Sequence, residues 1–347
     1  MSKELVIIYW KATVGCTNGS TCPDVDAWEW VYNGYPVYIL IIIVLGITFN
    51  VFVLMVFCLH KKACTVAEIY LSNLAAADLL LVSCLPFWAV NIFNGFNWPF
   101  GLFLCKVVNL GIKMNASCSV YFLVLVSIDR YVALVHTMSL GRMRGPKYAK
   151  LGCLLIIWIA GILLSFPALL FRSVEYFPDL GIYACYVAYP HQGWRLRYNM
   201  TVNIVGFLIP VPIVSFCSYH MTKKLRKYSR NSVERKAEYL VLVVLAVFIL
   251  CWLPYQILIF LDTLYYYNII SGCTWVHVLD ISNQLTTYLG YSNSSLNPFL
   301  YVIVGKHFKR RAREVCRLVL CRKQQRRKSG QSSANLSSTK QSESTRV

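Results

Sequence analysis

Charge is what this chain has least of. Only 14% of its 347 residues are Asp, Glu, Lys or Arg, and just 15 are acidic, whereas about a quarter of an ordinary soluble domain is charged. That shortage excludes a chain built to cover itself in water. Also missing are a nucleophile elbow, a phosphate-cradling glycine loop and any zinc-ligand spacing among the 14 cysteines and 6 histidines. Neither an enzyme nor a resident cofactor is therefore expected. No basic domain interleaved with aromatics is present, so the net charge of +19 does not point to nucleic acid. There is no inverted repeat and no ladder of proton-relaying groups, which removes a transporter or pump. The first 14 residues hold only the short apolar stretch 5–10, too short for a cleaved signal peptide, so the first span is expected to direct insertion.

What the chain does have is apolar length. Hydrophobic residues make up 57% and fall in blocks that can cross roughly 30 Å of hydrocarbon. Residues 35–59, 151–171, 198–222, 239–261 and 281–305 carry no charge. Two more blocks carry isolated charges: Asp78 in 69–93, and Lys106, Lys113, Asp129 and Arg130 in 104–135. Backbone groups in lipid must be satisfied within their own segment, so the blocks read as helices. The expected fold is an all-α membrane protein, a seven-transmembrane helix bundle. Of the 34 lysines and arginines, 26 fall on one side of that topology. The side is the cytoplasm by the positive-inside rule, and it suits anionic membrane lipid and a partner protein. The expected domains are an extracellular tail over 1–34, the bundle over 35–305, an amphipathic juxtamembrane helix 8 over 306–321 and a disordered tail over 322–347.

Four cysteines matter on the outer side. Cys105 opens the third span and Cys185 lies in the second outer loop, while Cys22 is in the tail and Cys273 in the third outer loop. Tying long outer loops to helix tops predicts Cys105 with Cys185 and Cys22 with Cys273, Cys16 being the alternative to Cys22. Asn18 and Asn199 are the candidate glycosylation sites. Beyond the seventh span, Phe308, Ala312, Val315 and Val319 recur at helical spacing among basic residues, predicting a helix on the inner membrane surface. Cys316 and Cys321 beside it are candidates for palmitoylation. The Ser/Thr-rich end is expected to be phosphorylated by receptor kinases and to recruit arrestin.

Polar groups inside hydrocarbon are costly unless paired or facing a wet cavity, which marks them as functional. Asp78 stands alone in its span and needs a proton, a cation or polar neighbours. Asn50, Ser119, Asn293, Ser294 and Asn297 are at comparable depth, and Asp78, Ser119 and Asn293 form a candidate sodium site. Asp129-Arg130-Tyr131 places an adjacent acid and guanidinium where the third span enters the cytoplasm. Cys251-Trp252-Leu253-Pro254 puts a bend beside a large aromatic, and Asn297-Pro298-Phe299-Leu300-Tyr301 adds a second proline break. These are the expected switch residues.

This combination, with Trp158 and the Cys105, Cys185 pair, resembles the rhodopsin-like class A G-protein-coupled receptors. One departure is Ser218, next to Tyr219, where many members carry a tyrosine. Within that class, Cys64-Thr65-Val66-Ala67-Glu68, Leu85-Pro86-Phe87-Trp88, Phe260-Leu261-Asp262-Thr263 and Tyr291-Ser292-Asn293-Ser294 are similar to bradykinin receptors, over about residues 28–314. The resemblance implies that Asp262 and Asp280 receive the amino-terminal arginine of a kinin peptide. Trp88, Phe93, Phe96, Trp98, Trp194, Tyr265, Tyr266 and Tyr288 offer aromatic walls for such a peptide, and Trp88, Phe260 and Tyr288 are candidate ligand-binding residues. Lys113 resembles type one receptors and implies preference for des-Arg kinins, whose last arginine is gone. The segments at 97–101 and 178–180 also resemble type one, against type-two-like features at 137–145 and in the tail, so the balance favours type one. Signalling through a heterotrimeric G protein of the Gq/11 type, with Gi as a second partner, is likewise implied, at the plasma membrane with the amino terminus outside. The alternative is another peptide or chemokine receptor of the same class.

Overall fold

The computed structural model describes residues 28–60, 64–135, 152–178, 181–228, 232–304 and 308–317. Helix α1 runs Trp28–Leu59, α2 Val66–Phe93 and α3 Gly101–Val135. A π-helical turn, Gly152–Ile157, leads into α4, Trp158–Ser165, and a proline at its first position opens the short α5, Pro167–Phe171. Strands β1, Arg172–Phe177, and β2, Ile182–Val187, form a hairpin. Then α6, Gln192–Asn203, passes through a second π turn, Ile204–Leu208, into α7, Pro210–Tyr228. Helices α8, Ser232–Tyr266, and α9, Cys273–Val304, complete the bundle, and 308–317 is helical as α10.

Sequence explains most ends and bends. The Thr65 hydroxyl accepts from the Glu68 amide, and the Glu68 carboxylate accepts from the Thr65 amide at 2.8 Å. This reciprocal cap fixes the start of α2 just inside the membrane face. Pro36, Pro86, Pro254 and Pro298 lie within helices, each removing one backbone bond, which neighbouring helices must compensate.

The outer surface of the bundle is greasy: Leu163 on α4 and Leu250 midway along α8 are 67% and 69% exposed, among many exposed large apolar side chains that suit a lipid surround. Among the described residues, five helical stretches are long and apolar enough to cross a membrane, one of them joining α6 to α7, and the fourth apolar helix is shorter, Leu155–Phe171. The seventh, α9, is 32 residues long but strongly polar on one side. Asp280, Asn293, Ser294, Ser295 and Asn297 are buried there, so α9 spends its polar face on the bundle interior rather than on lipid. Two cores fill the molecule. Phe122, Leu123, Phe248 and Trp252 belong to one, and Leu81, Leu85, Val108 and Tyr288 to the other.

The hairpin is a finding that hydrophobic blocks alone do not reveal. Its strands pair antiparallel from Arg172 opposite Val187 to Phe177 opposite Ile182, and Gly181, at φ +66°, helps turn the chain between them. Trp98 donates its backbone N–H to Tyr183 O at 2.8 Å, and Tyr183 N donates to the Asn97 side chain at 3.0 Å. The Cys105–Cys185 disulfide is formed, pinning β2 to the top of α3. Cys273 is also disulfide-bonded, while Cys22, its expected partner, lies outside the described residues. The Tyr186 hydroxyl donates to Glu175 across the strands. Burial, helped by the Glu175 carboxylate, pushes that phenol up to about 12, so it remains a neutral donor at physiological pH.

Candidate functional site

Beneath the hairpin the helices enclose a cavity of about 300 Å³. Trp252 is at its floor and Trp88, Ile112 and Tyr288 line its walls. Two cations, Lys113 and Arg172, also face it, and among the described lining residues there is no carboxylate. The Lys113 ammonium donates to the Tyr198 hydroxyl and lies 3.9 Å from that ring's centroid. Arg172 donates to Cys185 O at 3.3 Å. Two partly buried cations with no acid among the described lining residues favour an anionic end on whatever enters.

Two acids and an arginine, Asp262, Asp280 and Arg195, stand near one another outside the cavity lining. Asp262 comes 10 residues after Trp252 on α8, about 15 Å higher at 1.5 Å per residue. Asp280 is buried, and both Arg195 and Asp262 act on it electrostatically. Neither carboxylate lines the cavity itself. Asp262 is held by residues that sequence reading passed over. Arg195 grips it with two nitrogens, Nη2 on Oδ1 and Nε on Oδ2, the second at 3.2 Å, and Asn199 Nδ2 donates to Oδ2 at 2.6 Å.

Two expectations do not fit this geometry. Asn199 is only 4% exposed and its amide is committed to Asp262, so the folded protein offers no sugar acceptor there. Phe260 is 55% exposed and absent from the cavity lining. Its neighbours Leu258 and Ile259 are buried, and the helical turn carries Phe260 to the lipid side. Asn18 lies outside the described residues.

Below Trp252 the polar core assembles around Asp78, which is wholly buried. Its Oδ1 accepts from Asn115 Nδ2 at 3.0 Å and from Ser119 Oγ at 3.3 Å, and its Oδ2 accepts from Asn297 Nδ2 at 3.2 Å. Asn297 also donates to Asn293 Oδ1 at 3.1 Å, and Asn50 donates to Ser294 O at 2.9 Å. Asn115 was not among the expected neighbours, although its place four residues before Ser119 puts both on one helical face. Of the residues expected to hold sodium, Asp78 accepts from Ser119 at 3.3 Å, and Asn293 is joined to Asp78 through Asn297. Among the described residues, no group of three or more His, Cys, Asp or Glu side chains is placed to hold a metal ion.

The Trp252 ring packs over Gly290, where an added Cβ would come within 3.3 Å of it. Cys251, beside Trp252, is buried, and a polar chain runs from Asn293 through Asn297 to Asp78. Trp158 donates to Asn73 at 3.0 Å. At the inner end Arg130 Nε is 3.6 Å from Asp129 Oδ2. The Tyr131 ring meets Phe216 and His220 at 5.5 and 5.9 Å, and Tyr219, 63% exposed, turns away. Pro254 and Pro298 lie inside α8 and α9, and Tyr301 is in the helical backbone of α9. Phe308 of α10 packs edge-on to Phe57 at 5.7 Å, Arg311 pairs with Glu68 at 3.0 Å and His60 with Glu314 at 2.9 Å. Cys316 is exposed, and Cys321 lies outside the described residues.

Comparison with known proteins matches this architecture. The model of the 7 transmembrane receptor (rhodopsin family) covers residues 49–301. The chain is 50% identical over 303 residues to the B2 bradykinin receptor of Homo sapiens, covering 85% of this chain and 77% of that one. It is 48% identical over 316 residues to the B2 bradykinin receptor of Mus musculus, covering 89% and 80%. It is 41% identical over 308 residues to the B1 bradykinin receptor of Homo sapiens, covering 86% of each. Overall identity thus sides with B2, while the type-one features rest on Lys113 and a few outer segments. The chain is a multi-pass membrane receptor, not an enzyme, and belongs to the bradykinin receptors of the rhodopsin family of seven-transmembrane receptors.

Proposed function

We propose that the chain resides in the plasma membrane with its amino terminus outside, and that a kinin peptide enters the cavity carboxy-terminus first. One observation carries this reading: Lys113 and Arg172 line the cavity with no carboxylate among its described lining residues, whereas Asp262 stands outside that lining, about 15 Å above Trp252 along α8. A peptide carrying a carboxylate at one end and an arginine at the other matches that field end to end. Binding stabilises a packing of Trp252 in which the inner half of α8 swings outward and Arg130 meets a heterotrimeric G protein. Coupling to Gq/11, with Gi as a second partner, follows the family resemblance. Phosphorylation of the tail by receptor kinases, arrestin recruitment and palmitoylation of Cys316 and Cys321 complete the cycle. The basic α10, joined to α2 by the Arg311–Glu68 ion pair and to the residue after α1 by the His60–Glu314 hydrogen bond, lies on anionic lipid.

Lys113 is the selectivity element. Its ammonium attracts the carboxylate of a des-Arg kinin and repels the last guanidinium of intact bradykinin, so Lys113→Gln should favour the intact peptide. Calcium release in transfected cells should show the potency ratio of bradykinin to its des-Arg form rising about tenfold, one 1.4 kcal/mol step. An unchanged ratio would remove Lys113 from this role.

A further inference from the structure

The acid clamp at the mouth is already gripped from within. Arg195 and Asn199 are four residues apart on α6 and share one face, and both turn onto Asp262 of α8, 67 and 63 positions along the chain. The guanidinium makes two bonds to the two carboxylate oxygens, the planar fork geometry that arginine forms best. The pair is largely shielded from water, at 13% and 14% side-chain exposure. Asp280 lies within reach of the same charge.

We propose that Arg195 is a built-in surrogate for the ligand's amino-terminal arginine, occupying Asp262 until the peptide displaces it, and thereby sets how strongly the receptor discriminates for that residue. This rests on the reading of Asp262 and Asp280 as the kinin clamp. The exchange is chemically balanced: one guanidinium leaves the carboxylate and another takes the same two bonds. The bias comes from charge. Arg195 offers Asp262 one cation, whereas a peptide beginning with arginine brings both a guanidinium and an α-ammonium. A ligand end with a single cation gains no such advantage over Arg195, and one with none cannot expel it. Because the clamp is free only part of the time, apparent affinity falls by that fraction. Arg195 also ties α6 to α8, so its release unfastens the outer ends of the fifth and sixth spans from each other.

The test is competition binding on intact cells with bradykinin and with bradykinin lacking its first arginine, comparing wild type with Arg195→Gln. Surrogacy predicts that the variant binds bradykinin roughly threefold to thirtyfold more tightly, with the truncated peptide within twofold of wild type. Arg195→Lys, which keeps the charge without the fork, should fall between them, and it carries the comparison if the glutamine variant fails to reach the surface. Unchanged or weaker binding of bradykinin by the variant would overturn the proposal, as would an equal gain for both peptides. Wild type that binds neither peptide would instead overturn the kinin reading beneath it.

Discussion

Asp262→Ala is expected to weaken kinin binding by about a hundredfold while leaving surface expression in place, and adding Asp280→Ala should take the loss further. Truncating one partner of a largely desolvated charge pair costs about 2–5 kcal/mol, much of it the penalty of stranding the other charge. Here the stranded charge is Arg195, which the missing carboxylate would leave facing an incoming cationic peptide. The single substitution therefore removes an attraction and uncovers a repulsion. It follows that Arg195→Gln in the Asp262→Ala background should recover part of the affinity, a coupling that two independent contacts would not show. Radioligand saturation on all four genotypes measures it. Full affinity in Asp262→Ala would remove the clamp.

Asp78→Ala is expected to abolish most ligand-stimulated nucleotide exchange and to leave peptide affinity within about threefold. The carboxylate collects donors from α3 and α9, namely Asn115, Ser119 and Asn297. Removing it strands buried donors at about 1–3 kcal/mol each. That disturbance lies on the polar chain through Asn297 to Asn293 and outside the cavity lining, which includes Trp252 but not Asp78, so it acts on the switch rather than on the ligand. Exchange should fall at least tenfold at saturating peptide, a barrier change of about 1.4 kcal/mol or more. Exchange at the wild-type rate would mean that the polar core is only packing.

The parts of this picture that sequence carries are those governed by local physics. Charge-free runs of spanning length gave the helices, and the lone Asp78 announced a buried polar core because hydrocarbon leaves it no other option. Asn297 and Ser119 were legible as its neighbours from depth alone. The β-hairpin over the cavity was not legible, since its twelve strand residues look like any aromatic-rich loop until the disulfide and Trp98 fix them. The π turns at 152–157 and 204–208 leave no trace in a hydrophobic pattern. Arg195 reads as a solvated charge at a helix start, and only the packing of α6 against α8 brings it to Asp262. Phe260 shows the converse failure: it was a candidate ligand-binding residue, and one step of helical rotation from buried Ile259 leaves it exposed on the outer face of the bundle.

The claim that an outer peptide site drives an inner docking face is tested most directly with purified receptor in nanodiscs, measuring guanine nucleotide exchange on Gq with and without bradykinin or its des-Arg form. At least one of the two peptides should accelerate exchange, and Asp262→Ala should shift its concentration dependence to the right without lowering the ceiling. Binding of either peptide with no acceleration of exchange on any G protein would contradict the account.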